Sequence, residues 1–514
     1  MGTDADLTRE TIFFMKKIRL ISTITLLLTV TTLFAAAPKR EFRGAWIQAV
    51  NHQFEAIPTA ELKRTLISQL DSLEKARINT ILFQIRVEGD ALYKSDIEPW
   101  SKYLTGKQGQ APDEDWDPLQ FMIDECHKRG MELHAWINPF RAQTASTKDL
   151  SPMHQISQHP DRFIKYGSLV LFNPAIQENC DHICKVAADI TRRYDIDGFH
   201  MDDYFYPYPD GNLKFNDDAW FKADNRGFTD KADWRRDNVN HFVEQIRDTI
   251  KTIKPWVRFG ISPFGIYRNS SPSYHNGSLT NGLENYSGLY ADILYWIERG
   301  WMDYCIPQVY WNTGHKTADY SVLTKWWSEN AGNCVMVIGQ DVDRTITGTD
   351  PNNRSMHQQR HKLNLERIMP GLQGNCFWYA KAVVDNVGNY RTILTEEYHQ
   401  YPALQPVAPT MSQDAPGKVR KVMCLETTDG PVLFWTPSKY NKKKIFEKPV
   451  KYVIYRFNKD EQINIEDPSR IITITDRLFI NLPYKDGTTE YVYVVTALNR
   501  LQVESAPVKC KVKL

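Results

Sequence analysis

The chain has no surplus of charge of either sign. In 514 residues, 63 lysines and arginines stand against 62 aspartates and glutamates, a net charge of +1. No basic tract stands out, so nucleic acid is not an expected partner. Beyond the N-terminal region there is no apolar run long enough to span a bilayer, so no transmembrane anchor is expected there. Cysteine is scarce, and its eight positions do not form paired motifs. Cys180 and Cys184 are four apart on a helical face, but no second pair matches them, so core packing is expected rather than a metal site. The chain also lacks a His-x-His strand, the tight cluster that a metal-dependent barrel hydrolase or deacetylase needs. Such an enzyme would have to use His134, His200 and Asp202. No metal and no cofactor are expected. With 42% hydrophobic and 24% charged residues, the composition excludes disorder, collagen and coiled coil.

Aromatic residues are what the chain has in quantity: 14 Trp, 25 Tyr and 23 Phe. That number suits a large aromatic core, and it also suits stacking on apolar ligand faces such as sugar rings. Thirteen of the 14 Trp fall before residue 401, with Trp435 alone after it, so ligand stacking is expected in the first part of the chain.

The N-terminus reads as a targeting segment. Met15-Lys16-Lys17-Ile18-Arg19 is a positive region, Leu20 to Phe34 an apolar one, and Ala35-Ala36-Ala37 a small-residue cleavage site. Residues 1–37 are therefore expected to be a signal peptide, with the first fourteen residues an extension ahead of a start at Met15. Export to the periplasm or the medium follows. No Cys lies near the cleavage region, so a lipid anchor is not expected.

From 38 to 400, strand-like apolar runs alternate with amphipathic helical stretches. The runs are Arg43–Val50, Thr80–Val87, Glu132–Phe140, Gly198–Phe205, Arg258–Ile266, Asp303–Trp311, Cys334–Val342 and Asn375–Val383. Strict alternation of strand and helix means a parallel sheet, and eight units mean a closed (β/α)8 TIM barrel of the α/β class. Pro307 does not fit inside a closed barrel strand, so it should lie at a bulge or a strand end. Residues 401–417, with Pro402, Pro406, Pro409 and Pro416, read as a linker. Residues 418–514 show short alternating strands and read as a small all-β sandwich.

In a barrel strand, side chains alternate between the helix layer and the interior. Gln84, Arg86 and Glu88 share one phase, as do His134, Trp136 and Asn138, then His200 and Asp202, then Gln308 and Tyr310. The interior at the strand C-termini is thus polar and charged, which is costly without a purpose. The sharpest motif is Gly198-Phe199-His200-Met201-Asp202-Asp203-Tyr204-Phe205-Tyr206-Pro207. Carboxylates amid aromatics suit glycoside hydrolysis, which uses one carboxylate at the anomeric carbon or a water and one acid at the leaving oxygen. Neighbours on a strand point opposite ways, so Asp202 and Asp203 are not expected to be that pair. Asp202 is expected to be the nucleophile or base, and Asp203 takes that place if it faces the cleft while Asp202 turns toward the helix layer. Glu88 is the first choice for the acid, followed by Asp341 and Glu284, with Asp343 also near a strand end. Trp46, Arg86, His134, Trp136, Asn138, Arg141, His200, Tyr204, Gln308, Tyr310, Trp311 and Trp378 are expected to bind substrate, with Trp136 the strongest stacking candidate.

Several motifs occur in a fixed order: Phe42-Arg43-Gly44-Ala45-Trp46, Asp117-Pro118-Leu119, His134-Ala135-Trp136-Ile137-Asn138-Pro139, Gly198 to Pro207, Gly260-Ile261-Ser262-Pro263-Phe264-Gly265, and Ile306-Pro307-Gln308-Val309-Tyr310-Trp311. As a set they resemble the bacterial glycosyl hydrolase-like family ten, over roughly Glu41 to Pro402. The resemblance implies a (β/α)8 barrel, export and hydrolysis of glycosidic bonds, with a glycan as partner. Gly198 to Asp202 is also similar to the Gly-Phe-Arg-x-Asp strand of α-amylase-type barrels, where the Asp is the nucleophile; here His200 replaces the Arg. The amylase-type acid has no clear counterpart in Gly260 to Ile266. The run Tyr491 to Asn499 resembles a late strand of a fibronectin type III domain. A non-catalytic glycan-binding barrel is the competing reading, since it would keep the aromatic mouth without an acid pair.

Overall fold

The computed structural model describes residues 37–483 and 487–514; the expected signal peptide lies outside them, save its last residue. Eight parallel strands close into a barrel: β1 (Phe42–Ile47), β2 (Thr80–Arg86), β3 (Glu132–Ile137), β4 (Gly198–Met201), β5 (Arg258–Ile261), β6 (Tyr304–Cys305), β7 (Val335–Asp341) and β8 (Leu372–Trp378). Six of the expected runs contain their strands, while β1 and β8 begin one and three residues ahead of theirs, at Phe42 and Leu372; most strands stop earlier than the apolar pattern does. The remaining residues turn over the mouth as loops. Pro307 follows the end of β6, and its carbonyl accepts from Gly339 N at 2.9 Å.

The helices that follow the strands are α1 (Thr59–Lys75), α2 (Pro118–Lys128), α3 (Gln177–Arg193), α4 (Lys231–Ile253), α5 (Ile293–Glu298), α6 (Tyr320–Glu329), α7 (Gln359–Arg367) and the short pair Ala380–Val384 and Tyr390–Ile393. In α1 the spaced leucines Leu62, Leu66, Leu70 and Leu73 are buried against the barrel. Asp117 caps α2 by accepting from Leu119 N and Gln120 N, and Pro118 takes the first turn, where no N–H is needed. The helix α3 starts later than Asn173-Pro174 suggests, because Asn173 is used in a turn, accepting from Ala175 N at 3.1 Å.

The C-terminal region holds two antiparallel sheets. One has the order Arg420–Thr427, Gly430–Thr436, Phe479–Asn481; the other has Ile471–Thr475, Lys451–Asn458, Glu490–Leu498, Val508–Lys513. Leu433 and Trp435 of the first and Tyr452, Ile454, Tyr493 and Val495 of the second share one core. The segment 401–417 is not a free tether. Leu404 exchanges backbone hydrogen bonds with Lys39 and Glu41, and the Pro406 carbonyl accepts from Arg258 at 3.1 Å. All eight cysteines are unpaired, six of them buried. No helix among the described residues is long and apolar enough to cross a membrane.

Candidate active site

The barrel interior is built in polar layers. Two glycines make the lower layers possible. A Cβ at Gly198 would meet the His134 ring at 2.5 Å, and one at Gly260 would meet the Tyr304 ring at 2.2 Å. Both rings fill space that only glycine leaves open. The Trp46 indole, a donor only, points Nε1 at His200 Nε2 at 3.4 Å. This makes His200 Nε2 the acceptor, also for Ser262 Oγ at 3.0 Å, and leaves the proton of the neutral ring on Nδ1. Burial, helped by His134, holds the His200 pKa well below the usual value and so keeps the ring neutral. His200 Nδ1 then donates to the Tyr304 hydroxyl at 3.1 Å, which donates to His134 Nδ1 at 2.8 Å. His134 Nε2 donates to Glu132 at 3.3 Å. His134 and His200 are thus fully buried and committed to one another through Tyr304. Their expected contact with substrate is corrected to support of the layer above.

That layer carries Asp202. Ala49 N donates to Gln84 Oε1 at 2.9 Å, and Gln84 Nε2 to Asn138 Oδ1 at 2.7 Å. The Asn138 amide is therefore oriented with Nδ2 toward Asp202 Oδ2, which also accepts from Trp136 Nε1 at 3.0 Å. Asp203 accepts from the Tyr208 hydroxyl and is bonded to Gln308, whose Nε2 also donates to the Ser262 carbonyl at 2.9 Å. The strand alternation that was expected to separate the two aspartates does not reach them, because β4 ends at Met201. Asp202 leans toward β3 and Asp203 toward the end of β6, both at the mouth. Burial pushes Asp202 up to about 7, reinforced by the charge of Asp203 and opposed by Arg141 and the Trp136 bond. Burial raises Asp203 as well, against the bonds from Tyr208 and Gln308.

Arg141 sits on Arg141–Gln143, a strand of a small three-stranded sheet in the β3–α3 loop, which holds it over the mouth. Its guanidinium lies 3.9 Å from the Tyr204 ring centre. Burial works against its charge, but Tyr204, Asp202 and Glu88 outweigh it and raise its pKa. Across the mouth, Trp378 stands edge-on to Trp46 and Trp136 and nearly parallel to Tyr310, at ring distances of 6.3, 6.1 and 6.4 Å. Trp46 and Trp136 are buried in the interior, whereas Tyr204, Gln308, Tyr310, Trp311 and Trp378 are half-buried. The stacking role expected first of Trp136 is corrected: its indole edge serves Asp202, and Trp378 covers it.

Three charged candidates are placed elsewhere. A bulge at Ile85 shifts the register of β2 against β3, and Arg86 turns away from the mouth. It pairs with Glu98 at 2.7 and 2.8 Å and donates to the Asn138 and Pro139 carbonyls at 2.7 and 2.9 Å. Four of its five N–H donors are engaged in this way, and the side chain is fully buried. Glu88 is fully buried, with Tyr103 on one oxygen at 2.7 Å and Thr147 on the other, so the first choice for the acid is corrected to a structural carboxylate beneath Arg141. Glu284 accepts from Asn269 N and Nδ2, each at 2.8 Å, and from Ser287, and so ties down its own loop. Asp341 is half-buried and caps the helix Val342–Thr347 through Arg344 N at 2.9 Å; burial raises its pKa. Asp343 is exposed on that helix. The residues weighed as a metal set do not converge, and no group of three His, Cys, Asp or Glu among the described residues could hold a metal ion. Tyr208, Ser262 and Tyr304 were not singled out by sequence reasoning. Ser262 lies in a motif that had been noticed, while Tyr208 sits in a loop with no periodicity to mark it.

A closed (β/α)8 barrel with paired carboxylates where its fourth strand ends defines a protein of the TIM-barrel class with its site at the C-terminal mouth. Within that class the chain belongs to the glycosyl hydrolase-like 10 family, whose model matches residues 41–352. It is 35% identical to "Glycosyl hydrolase YngK" of Bacillus subtilis (strain 168) over 490 residues, 94% of this chain and 95% of that one. It is 41% identical to "Glycosyl hydrolase DigH" of Escherichia coli (strain K12) over 279 residues, 52% of this chain and 62% of the relative. The solved glycoside hydrolase domain of PgaB (BpsB) from Bordetella bronchiseptica matches with a TM-score of 0.47 and 10% identity, covering 69% of this chain and 98% of that domain.

Proposed function

We propose that the chain is an exported glycoside hydrolase that cleaves a cell-wall or other complex polysaccharide with Asp202 and Asp203. The observation that carries this is the pair itself: two adjacent, buried carboxyls at the barrel mouth, both raised, with Asp202 at about 7. Two such groups in mutual repulsion hold about one proton between them near neutral pH. The proton belongs on Asp202, the member shifted to about 7. This reverses the role that the sequence assigns to Asp202. Asp202 gives the proton to the leaving glycosidic oxygen. Asp203, which accepts from Tyr208 and is bonded to Gln308, supports the positive anomeric centre or activates a water. Arg141 tempers the charge of both, and Trp378, Tyr310 and Trp311 offer half-exposed ring faces to sugar units. Asp341 is a further carboxyl raised by burial at a strand end, and we take it as the control position.

The membership of the family, and the names of its relatives, support a glycan as partner. The basic, apolar and small-residue regions of residues 15–37 support export. The strand arrangement of three and four in the C-terminal region supports the fibronectin type III resemblance.

The test is a hydrolysis screen of the mature chain on purified sacculi and on neutral and acidic polysaccharides, with Asp202→Asn, Asp203→Asn and Asp341→Asn alongside. Release of reducing ends that falls at least about 10²-fold in the first two variants is expected. Full activity in Asp202→Asn overturns the assignment. Binding without hydrolysis on every glycan would make the barrel a binding protein instead.

A further inference from the structure

On the face of the barrel opposite the mouth, a cleft of about 320 Å³ opens beside Trp256, just ahead of β5. Its lining includes Trp256, Tyr440, Lys442, Ile445, Lys448 and Arg500. The loop on its sandwich side, residues 439–451, carries six lysines (Lys439, Lys442, Lys443, Lys444, Lys448 and Lys451) against the single acid Glu447. The whole-chain balance of +1 conceals this basic tract, and the expectation that none stands out is corrected. Lys444 pairs with Glu447 at 2.8 Å, and Lys451 donates to the Gly130 carbonyl at 3.0 Å. Arg500 is held by Asp195 at 2.8 and 3.1 Å and lies 5.5 Å from the Trp256 ring centre. Among the described residues, no ion pair engages Lys439, Lys442, Lys443 or Lys448. The Trp256 Nε1 is buried and has no hydrogen-bond partner. No carboxylate lines the cleft.

We propose that this cleft is a second glycan-binding site, for an acidic polysaccharide that bears carboxylate or phosphate groups. The faces of Trp256 and Tyr440 take the apolar side of a sugar ring. The lysine ammoniums meet its anionic substituents. A neutral glycan would leave those cations without partners. The site lies on the far side of the barrel from Asp202, so it tethers a polymer rather than presenting a bond for cleavage, and it stands independently of the hydrolase reading.

Affinity electrophoresis and calorimetry of the mature chain test this. The ligands are polygalacturonate, a phosphorylated mannan, neutral dextran and phosphatidylglycerol vesicles, each at low and at physiological salt. Binding to at least one acidic polymer and none to dextran is expected, with affinity falling steeply as salt rises; the better polymer identifies the anionic group. The variant Lys442→Gln/Lys443→Gln/Lys448→Gln, on an exposed loop, should lose about tenfold or more in affinity. Asp202→Asn should bind as the unaltered chain does, which separates this site from the mouth. Trp256→Ala, with its fold checked by circular dichroism, should lose polysaccharide binding as well. The proposal is overturned by binding to neither acidic polymer, by equal binding to dextran, by an unaffected lysine variant, by loss of binding in Asp202→Asn, or by binding to vesicles alone.

Discussion

Asp202 shows how burial sets chemistry at a single residue. Its carboxyl is raised from an ordinary 3.8 to about 7, chiefly by burial. The folded chain therefore favours the protonated form. The resulting stability is present in full below the ordinary value and is lost as pH rises through about 7. Above that, the fold holds a buried charge at a cost of up to about 4 kcal/mol. Asp202→Asn keeps an acceptor for Trp136 and carries no charge. Its melting temperature is expected to exceed that of the unaltered chain at pH about 8 and to match it near pH about 4. A calorimetric pH series checks this, and equal melting temperatures throughout would refute the shift. Asp203 contributes to that shift by repulsion. In Asp203→Asn, the Asp202 titration followed by carbon NMR is expected to move to lower pH, and an unchanged midpoint would show that the two carboxyls do not communicate.

At the scale of elements, strand ends and one bulge decide which side chains reach the mouth. The short β4 stops at Met201 and frees both aspartates from alternation. The irregularity at Ile85 removes Arg86 from the mouth and gives it to Glu98, which in turn accepts from His182 of α3 at 2.9 Å. That buried pair braces the end of β3, since Arg86 holds the Asn138 carbonyl. In β5, Gly260 admits the Tyr304 ring that links the two histidines. Gly260→Ala places a methyl 2.2 Å from that ring. Such overpacking typically costs about 1–3 kcal/mol. Denaturant unfolding of Gly260→Ala, Tyr304→Ala and the double variant is expected to show that the second change relieves the first. Additive losses would contradict the contact.

For the whole molecule, the sandwich joins the barrel at the N-terminal ends of the strands, away from the mouth. Gln502 donates to Glu132 at the start of β3 at 2.8 Å, Arg500 pairs with Asp195 ahead of β4, and Lys39 pairs with Glu504 at 2.6 Å. Burial pushes Glu132 up, but Arg258 and His134 outweigh it and bring its pKa to about 2. Its contribution to stability is therefore present above the ordinary carboxylate value and is lost as pH falls through about 2. The hydrogen-bonded chain Glu132–His134–Tyr304–His200–Trp46 then runs from this junction to the layer below Asp202. Residues 37–514 are one compact unit. A single calorimetric unfolding transition is expected for barrel and sandwich together, and two well-separated transitions would show that the junction does not couple them.

The sequence by itself determined the alternation of eight strands with eight helices and the polar phase of His134, Trp136 and Asn138. Those are local matters of period, punctuation and residue type. It also marked Asp202 and Asp203 as the chemical focus, because two carboxylates among aromatics have few structural uses. It could not assign their roles. Alternation counts residues along one strand, but where β4 stops and where β2 bulges depends on the register with neighbouring strands. Glu88 reads as a mouth carboxylate in one dimension and is enclosed by Tyr103 and Thr147, which arrive from distant loops. The raised pKa of Asp202 likewise comes from burial and from Asp203, and both are properties of the closed barrel. Only tertiary structure decided them, because desolvation depends on what surrounds a group and not on what adjoins it in the chain.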